Sequence, residues 1–132
     1  MEIIICLDDN NGMLFNNRRQ SRDSKVLEDI KNSLKGNLTI FPFSEKLIKG
    51  SEIPYELMSD TVNENAVIFV EDRGIKKLLS AVHKITVYRW NRVYPADMSL
   101  DIDFAEEGFK SVSVCEFEGS SHEKITKEVY ER

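Results

Sequence analysis

The sequence predicts an α/β domain with a mostly parallel sheet and an antiparallel hairpin at its C-terminal end. Residues 2–7 and 66–70 are continuously apolar, which is typical of strands buried on both faces of a parallel sheet. Each run precedes a segment of helical periodicity, as strand–helix units require. Residues 109–118 and 123–131 have strand patterns on either side of a Gly-Ser-Ser turn, which indicates the hairpin. One domain over residues 1–132 accommodates this order, since no linker or repeat interrupts it.

The first strand, loop and helix organise the prediction. Residues 8–23 are predicted as a polar loop with its sharpest turn at Asn11-Gly12. A helix is predicted over 24–35, capped by Asp23 or Ser24 and ended by Gly36. Its apolar face consists of Val26, Leu27, Ile30 and Leu34. A strand, an irregular loop and a helix commonly form a ligand crevice at the carboxyl end of the strand.

The remaining elements follow from shorter patterns. They are a strand over 38–41 stopped by Pro42, a helical turn over 44–48, another helical turn beginning at Pro54, a strand over 66–70, a helix over 74–82, a strand over 84–91, a turn over 94–97 and a loop over 98–108. Residues 42–65 give the weakest pattern. Met13, Leu14 and Phe15 are expected to plug the core from within the loop, because burying each stabilises by about 1.5–3 kcal/mol.

Composition excludes several functional classes. The net charge of −5 and a pI near 5.1 argue against a nucleic-acid binder, which carries a basic patch or stripe. The N-terminal apolar run is too short for a signal peptide or a membrane span, so a cytoplasmic location is expected. Cys6 and Cys115 lie in strand-like runs without C-x-x-C spacing, and we expect both to be buried and reduced. His83 and His122 offer no metal-ligand spacing, so we expect no metal.

Several short motifs, in their order and spacing, resemble dihydrofolate reductases. They are Leu7-Asp8-Asp9-Asn10-Asn11-Gly12-Met13 and Phe15-Asn16-Asn17 near the start, Lys84-Ile85-Thr86-Val87-Tyr88, Tyr94-Pro95-Ala96-Asp97, Phe109-Lys110-Ser111-Val112-Ser113 and the ending Glu128-Val129-Tyr130-Glu131-Arg132. The likeness covers both ends and the third-strand region but not residues 42–65. It implies a shortened, divergent member with the family's three-layer α/β sandwich.

The resemblance implies that the reductase acid is replaced. Members carry an acidic residue on the first helix that supports protonation of the pterin ring. Without gaps that position falls on Val26. A register with a three-residue insertion places it on Asp29 instead. We favour Val26, because the ungapped register keeps Leu27 and Ile30 facing inward. A positioned acid contributes roughly 10²–10⁴ in rate, so its loss would leave little reductase activity.

The resemblance also implies that NADPH binding of the usual kind is lost. The family's Gly-Arg after the second strand is Pro42-Phe43 here, and its Gly-Gly after the third strand is replaced within 71–74, Glu-Asp-Arg-Gly. Two acids there would repel a diphosphate at a helix N-terminus. Residues 42–65 are predicted to be too short for the family's middle strand and helix. No cofactor is therefore expected; NADPH would bind only if Arg73 took over the phosphate and Asp29 supplied the acid.

The favoured hypothesis is a non-reductase whose 8–23 loop binds a small anionic or nucleotide-like ligand, or a protein partner. Arginine grips carboxylate and phosphate bidentately, and this loop is rich in planar hydrogen-bonding groups. Capping and solvation of the loop would explain the same groups. Two competing hypotheses are an active NADPH-dependent reductase and an interaction module, such as a homodimer, with an exposed patch of Tyr88 and Trp90. Core packing is expected for at least one of these two side chains. Ser120-Ser121-His122 is interpreted as a plain turn. The candidate ligand-binding residues are Asn16, Asn17, Arg18, Arg19, Gln20, Arg22, Asp23 and Arg73.

Overall fold

A seven-stranded sheet lies at the centre of the computed structural model, which describes residues 1–132. The ten strands are β1 (Glu2–Leu7), β2 (Gly12–Phe15), β3 (Arg18–Arg19), β4 (Leu38–Ile40), β5 (Tyr55–Leu57), β6 (Val67–Val70), β7 (Lys84–Arg89), β8 (Met98–Ser99), β9 (Lys110–Phe117) and β10 (Ile125–Glu131). The helices are α1 (Ser24–Ser33), α2 (Glu45–Gly50) and two 3₁₀ helices, Pro42–Ser44 and Lys76–Ala81. The large sheet has the order β5-β4-β6-β1-β7-β10-β9, and a small sheet has the order β3-β2-β8.

The continuous apolar run of β1 is explained by its central place. It pairs in parallel with β6 on one side and with β7 on the other. Ile3, Ile5 and Leu7 are fully buried on one face, and Ile4 is buried on the opposite face. β10 joins antiparallel to β7 and forms a hairpin with β9. The predicted α/β class, with its antiparallel C-terminal hairpin, is confirmed.

Two hydrophobic cores separate three layers. Helices α1 and α2 cover the sheet face that carries Ile4 and Tyr88, where 13 buried residues form one cluster. The small sheet and the Lys76–Ala81 helix cover the face that carries Ile3 and Val87, where 15 buried residues form the other. Burial on both sides gives the central strands a stabilisation of about 25 cal/mol per Å² of apolar surface. The expected three-layer sandwich is observed.

Helix α1 begins as the sequence predicts and ends earlier. Asp23 is its N-cap, with an extended backbone and a carboxylate that accepts from the Lys25 N–H at 2.9 Å. Val26, Leu27 and Ile30 are buried as expected. The helix stops at Ser33, since Leu34 has ψ 140 and leaves the helical region. The prediction of a helix to residue 35 with Gly36 as the stop is wrong by two residues.

The predicted 8–23 loop contains a β-hairpin. Asn16 and Asn17 lie between β2 and β3 with φ of 51° and 59°, the two-residue turn whose twist suits a hairpin. β2 also pairs with β8, so the stretch 98–108 is not entirely a loop either. Asparagine tolerates positive φ because its short side chain bonds locally. Met13 and Leu14 plug the core as predicted, whereas Phe15 is 42% exposed.

Residues 42–65 hold more structure than the sequence indicated. Helix α2 and strand β5 both lie here, so the prediction that the segment is too short for a helix and a strand is wrong. Tyr55–Leu57 is a strand paired in parallel with β4, not a helical turn. Both elements are short, with six and three residues, which is below the length at which periodicity identifies an element. The helix predicted over 74–82 is a 3₁₀ helix at Lys76–Ala81.

The exposure of three side chains can be compared with the expectations from the sequence. Cys115 is exposed on the edge strand β9, not buried. Tyr88 and Trp90 are only 1% and 5% exposed, so the core packing expected for at least one of them is observed for both, and they form no aromatic surface patch. No helix here has the combined length and apolar character that crossing a bilayer requires.

Candidate functional site

The candidate site lies where β1, β6 and β7 end. Asp8, Glu71 and Trp90 directly follow these three strands, and parallel strands present their carboxyl ends at one edge of the sheet. The β2–β3 hairpin, the start of α1 and the β9–β10 turn surround this edge. Polar contacts between these segments form two buried clusters, one around Asp8 and one around Asp23.

Asp8 is fully buried and fixes the turn after β1. Its carboxylate accepts the N–H groups of Asn10 at 2.8 Å, Gly12 at 2.7 Å and Tyr94 at 3.1 Å. The amide of Gln20 donates to the same carboxylate at 3.1 Å. Burial raises the pKa of Asp8, but the backbone N–H donors of Gly12, Tyr94 and Asn10 outweigh it and hold that pKa below its usual range. Asp8 therefore joins the two loops as an ion.

Asp23 forms the second cluster and connects α1 to the β9–β10 turn. Its side chain is 0% exposed. Its carboxylate accepts the backbone N–H groups of Ser120 and Ser121 at 2.9 and 2.8 Å, and the Ser120 hydroxyl at 3.0 Å. Burial raises the pKa of Asp23, yet the Ser120 N–H, the His122 ring and the Ser121 N–H lower it far below its usual range. The carboxylate is ionised and saturated with donors.

His122 extends this cluster towards the surface. Its Nδ1 lies 2.9 Å from Asp23 Oδ2, so the neutral ring carries its hydrogen on Nδ1 and leaves Nε2 as an acceptor. Nε2 faces the hydroxyls of Ser21 at 3.1 Å and Tyr94 at 3.0 Å. The ring stacks on Trp90 with centroids 4.7 Å apart. Two hydroxyl donors thus converge on one nitrogen of a histidine whose side chain is 2% exposed.

The candidate residues of the hairpin have different environments. Asn16 and Asn17 form its turn and Arg18 follows, all three exposed. Arg19 is paired with Glu71, Nε to Oε2 at 2.9 Å and Nη2 to Oε1 at 3.0 Å. The carbonyl oxygen of the Gln20 side chain is buried without a hydrogen-bond partner. Arg18 therefore offers the hairpin's one exposed cation.

The remaining candidates, Arg22, Asp23 and Arg73, also differ in exposure and in pairing. Arg22 is exposed and contacts no carboxylate, whereas Asp23 is the buried cap described above. Arg73 lies outside this cluster. It pairs with Asp72 at 3.1 Å and stacks over the Phe41 ring at 3.6 Å from its centroid.

The interior beneath these loops is closed. Val26, Cys6, Phe69 and Trp90 are among the residues that line a cavity of about 10 Å³, which is no larger than a water site. Asp29 does not line it. Its carboxylate accepts the Tyr88 hydroxyl at 2.6 Å and the Lys127 ammonium at 2.8 Å, between α1 and β7–β10.

The turn after β6 is closed by an acidic side chain of the chain itself. The Asp101 carboxylate accepts the N–H groups of Ile75 at 2.9 Å and Lys76 at 3.2 Å, the donors that begin the Lys76–Ala81 helix. Gly74 makes room for it, because a Cβ at this position would overlap the Asp101 carboxylate. The backbone donors that a bound phosphate would use already have an anionic partner.

This contact makes Gly74→Ala a test of the closed turn. We expect a loss of about 1–2 kcal/mol in the free energy of unfolding, because the new methyl displaces the Asp101 carboxylate and uncaps two N–H groups. The matched control is Gly50→Ala, where a Cβ meets nothing within 4 Å. Urea unfolding of both variants measures the difference. An equal loss in an Asp101→Ala background would contradict the explanation.

Four open grooves lie on the surface, with volumes of about 750, 470, 370 and 320 Å³. The groove of about 750 Å³ lies at the amino ends of the strands, and its lining includes Glu2 and Lys84. The groove of about 370 Å³, called the His122 groove below, is lined by Trp90, Asn91, Arg92, Ser121, His122, Glu123 and Lys124. Ligands of open α/β sheets bind outside the carboxyl ends of the strands, where the His122 groove and the groove of about 320 Å³ both lie.

The sequence interpretation missed the β9–β10 turn. Ser120-Ser121-His122 is more than a plain turn, because its backbone and its histidine together cover the Asp23 carboxylate. Gly119 is the one feature of the sequence that relates to the packing of this turn on Asp23, since a Cβ there would lie 2.6 Å from Asp23 Oδ2. Glycine before the turn therefore allows close packing as well as turn formation.

These layers, strand order and site position define the dihydrofolate reductase-like α/β fold. A dihydrofolate reductase from Enterococcus faecalis, solved with NADP(H) and RAB-propyl, is similar to this chain with a TM-score of 0.71. The match has 12% sequence identity and covers 99% of this chain and 95% of that one. No family model matches the sequence. No curated protein matches it either. At this identity the likeness establishes the fold alone.

Proposed function

We propose that this protein is a non-reductase of dihydrofolate reductase-like fold that binds a small anionic ligand where the 8–23 segment meets the His122 groove. The observation that carries the proposal is the pair Arg22 and Arg92. Arg22 lines the cavity of about 10 Å³ with Trp90, and Arg92 lines the His122 groove with Trp90. Both are exposed, and neither side chain contacts a carboxylate. In a chain of net charge −5, two unpaired guanidinium groups about one indole favour an anion locally.

The closed interior supports the non-reductase part of this proposal. The cavity above α1 has a volume of about 10 Å³, whereas a bound heterocycle needs a pocket of roughly 300 Å³ or more. Val26 lines this cavity with an aliphatic side chain, and the two acids that also line it, Asp23 and Glu71, are paired with His122 and Arg19. The Asp101 carboxylate bonds the backbone N–H groups at the turn that follows β6. NADPH binding therefore forms no part of the proposed function.

An NADPH-dependent reductase would need two side chains to change partners. Asp29 would have to leave Tyr88 and Lys127 to reach the crevice. Arg73 would have to leave Asp72 and the Phe41 ring to reach a phosphate. Asp29 would lose charged hydrogen bonds that contribute about 1.5–3 kcal/mol, whereas the surface pair of Arg73 and Asp72 contributes about 0–1 kcal/mol. These contacts favour ligand binding without hydride transfer.

Trp90 is the chain's only tryptophan and gives a direct readout of binding. We expect saturable changes in its fluorescence on titration with inorganic phosphate or with ATP. Arg22→Gln and Arg92→Gln should each weaken binding about tenfold, because each loses a charged hydrogen bond worth about 1.5–3 kcal/mol. Lys110→Gln, an exposed cation on β9, is the matched control and should bind as the parent does.

Two results would overturn the proposal. The first is a fluorescence signal that never saturates with any anion at low ionic strength. The second is saturable NADPH binding accompanied by dihydrofolate-dependent oxidation of NADPH, which would identify a reductase. An unchanged affinity in both arginine variants would show that the anion binds at a site other than the one proposed.

A further inference from the structure

Ser21, His122 and Asp23 form a continuous hydrogen-bonded chain. Asp23 Oδ2 lies 2.9 Å from His122 Nδ1, and His122 Nε2 lies 3.1 Å from Ser21 Oγ. Both distances fall within the reach that links an orienting carboxylate, a general base and a nucleophile. Capping α1 uses only the Asp23 carboxylate and the Lys25 N–H. The imidazole and the Ser21 hydroxyl are additional to that role.

Solvent exposure increases along the chain from Asp23 through His122 to Ser21. The side chains of Asp23 and His122 are 0% and 2% exposed, whereas Ser21 is half-buried and lines the small cavity. Trp90 stacks on the imidazole and fixes the plane of its ring. The base is thus shielded from water, while Ser21 is partly exposed. The ionised carboxylate holds the hydrogen on Nδ1 and stabilises the imidazolium that forms when Nε2 takes a proton.

A backbone donor without an acceptor follows Ser21 directly in the sequence. The backbone N–H of Arg22, the residue after Ser21, donates to no acceptor within the protein. Backbone N–H groups next to a nucleophile stabilise the negative charge of tetrahedral intermediates in acyl transfer. The Tyr94 hydroxyl lies 3.0 Å from Nε2 and 3.4 Å from Ser21 Oγ, so it faces both the base and the nucleophile.

We propose that Ser21 is the nucleophile of a hydrolase for carboxylic esters, with His122 as general base and Asp23 as the residue that orients it. Ser21 Oγ forms a bond to the acyl carbon, and its proton passes to Nε2. The bond from the acyl carbon to the alcohol oxygen then breaks, and the alcohol leaves with that proton. Water attacks the acyl-serine and gives a proton to Nε2. Ser21 departs with that proton as the acid is released.

The preferred ester carries an anionic group. This part rests on the proposed function, because Arg22 and Arg92 would hold that charge beside the nucleophile. The nucleophile itself does not depend on it. A neutral reagent and an anionic one therefore test the two claims separately.

Diisopropyl fluorophosphate tests the nucleophile on the intact protein. We expect one phosphoryl group on the peptide that contains Ser21, since Oγ displaces fluoride and Nε2 takes the proton. Ser21→Ala should abolish labelling, and Asp23→Asn should slow it by about 10²–10⁴, the range of a lost base-orienting contact. Ser111→Ala, an exposed serine of β9, should label as the parent does. Labelling of another residue, such as Tyr94, or no labelling of the parent protein, would overturn the proposal.

Hydrolysis of two nitrophenyl esters tests the substrate class. We expect a higher kcat/KM for mono-4-nitrophenyl glutarate, which carries a carboxylate, than for neutral 4-nitrophenyl butyrate. Arg22→Gln should lower the ratio of the two values about tenfold, the effect of one charged hydrogen bond. Labelling of Ser21 without this preference would refute the anionic substrate and the proposed anion site while leaving the nucleophile supported. Absence of labelling together with saturable phosphate binding would refute the nucleophile and leave the anion site supported.

Discussion

Asp23→Asn should lower the free energy of unfolding by about 3 kcal/mol at pH 7, since two part-buried donors that each contribute about 1–3 kcal/mol lose their acceptor. The carboxylate accepts the Lys25 N–H and the Ser120 hydroxyl on Oδ1 and the Ser121 N–H on Oδ2, and an amide presents one oxygen and one NH₂ group to the same donors. The NH₂ group repels whichever N–H it faces. We expect Tm to fall by roughly 10 °C for a chain of this size.

The same variant should show a definite pH dependence. The pKa of Asp23 is depressed in the folded state, so its contribution is fully present above the unfolded value of about 3.9 and is lost as the pH falls towards the folded value. The difference between the parent and Asp23→Asn should stay constant from pH 7 to about pH 5 and shrink below about pH 4. Urea unfolding at several pH values measures it. Asp60→Asn, at an exposed position, is the control. A difference that persists unchanged at low pH would assign the effect to packing instead of charge.

The sequence predicted the parts of the fold that repeat a pattern over many residues. The apolar run of β1 and the helical face of α1 each supply several buried side chains in a row, so the period identifies the element. The hairpin at Asn16-Asn17 is closed by only two residue pairs, Leu14 with Arg19 and Phe15 with Arg18. Its only local signal is two asparagines that accept positive φ. Strand β5 has three residues and depends on pairing with β4.

The environments of the candidate residues were predicted in part, for a different reason. Arg18 and Arg22 are exposed cations of the loop, as the ligand hypothesis needs, and this follows from local composition. Arg19 is not free, because its partner Glu71 lies 52 residues away and only the fold brings the two together. The role of His122 was missed for the same reason, because its partner Asp23 lies 99 residues away in the sequence. Long-range pairing of polar groups leaves no period in a sequence, so it cannot be inferred from one.

Trp90→Ala should lower the free energy of unfolding by about 3–5 kcal/mol, the usual loss for a buried aromatic side chain truncated in a core. Trp90 is 5% exposed and packs within the cluster that joins α1 to the sheet. Trp90→Phe should cost less, about 1–2 kcal/mol, because the smaller ring keeps part of the contact area. Urea unfolding followed by circular dichroism measures both, since no other tryptophan is present. Leu57→Ala, at a side chain 45% exposed, is the control for truncation at the surface.

The two variants separate packing from orientation at the histidine. The Trp90 ring lies 19° from the plane of the His122 ring, so it restrains the imidazole on the face that Asp23 does not contact. If that restraint matters, Trp90→Phe should slow labelling of Ser21 by diisopropyl fluorophosphate although the protein stays folded. A folded Trp90→Phe protein that labels at the parent rate would show that Asp23 alone orients the imidazole. Loss of less than about 1 kcal/mol in Trp90→Ala would contradict the packing role, because a truncated buried aromatic side chain costs more than that.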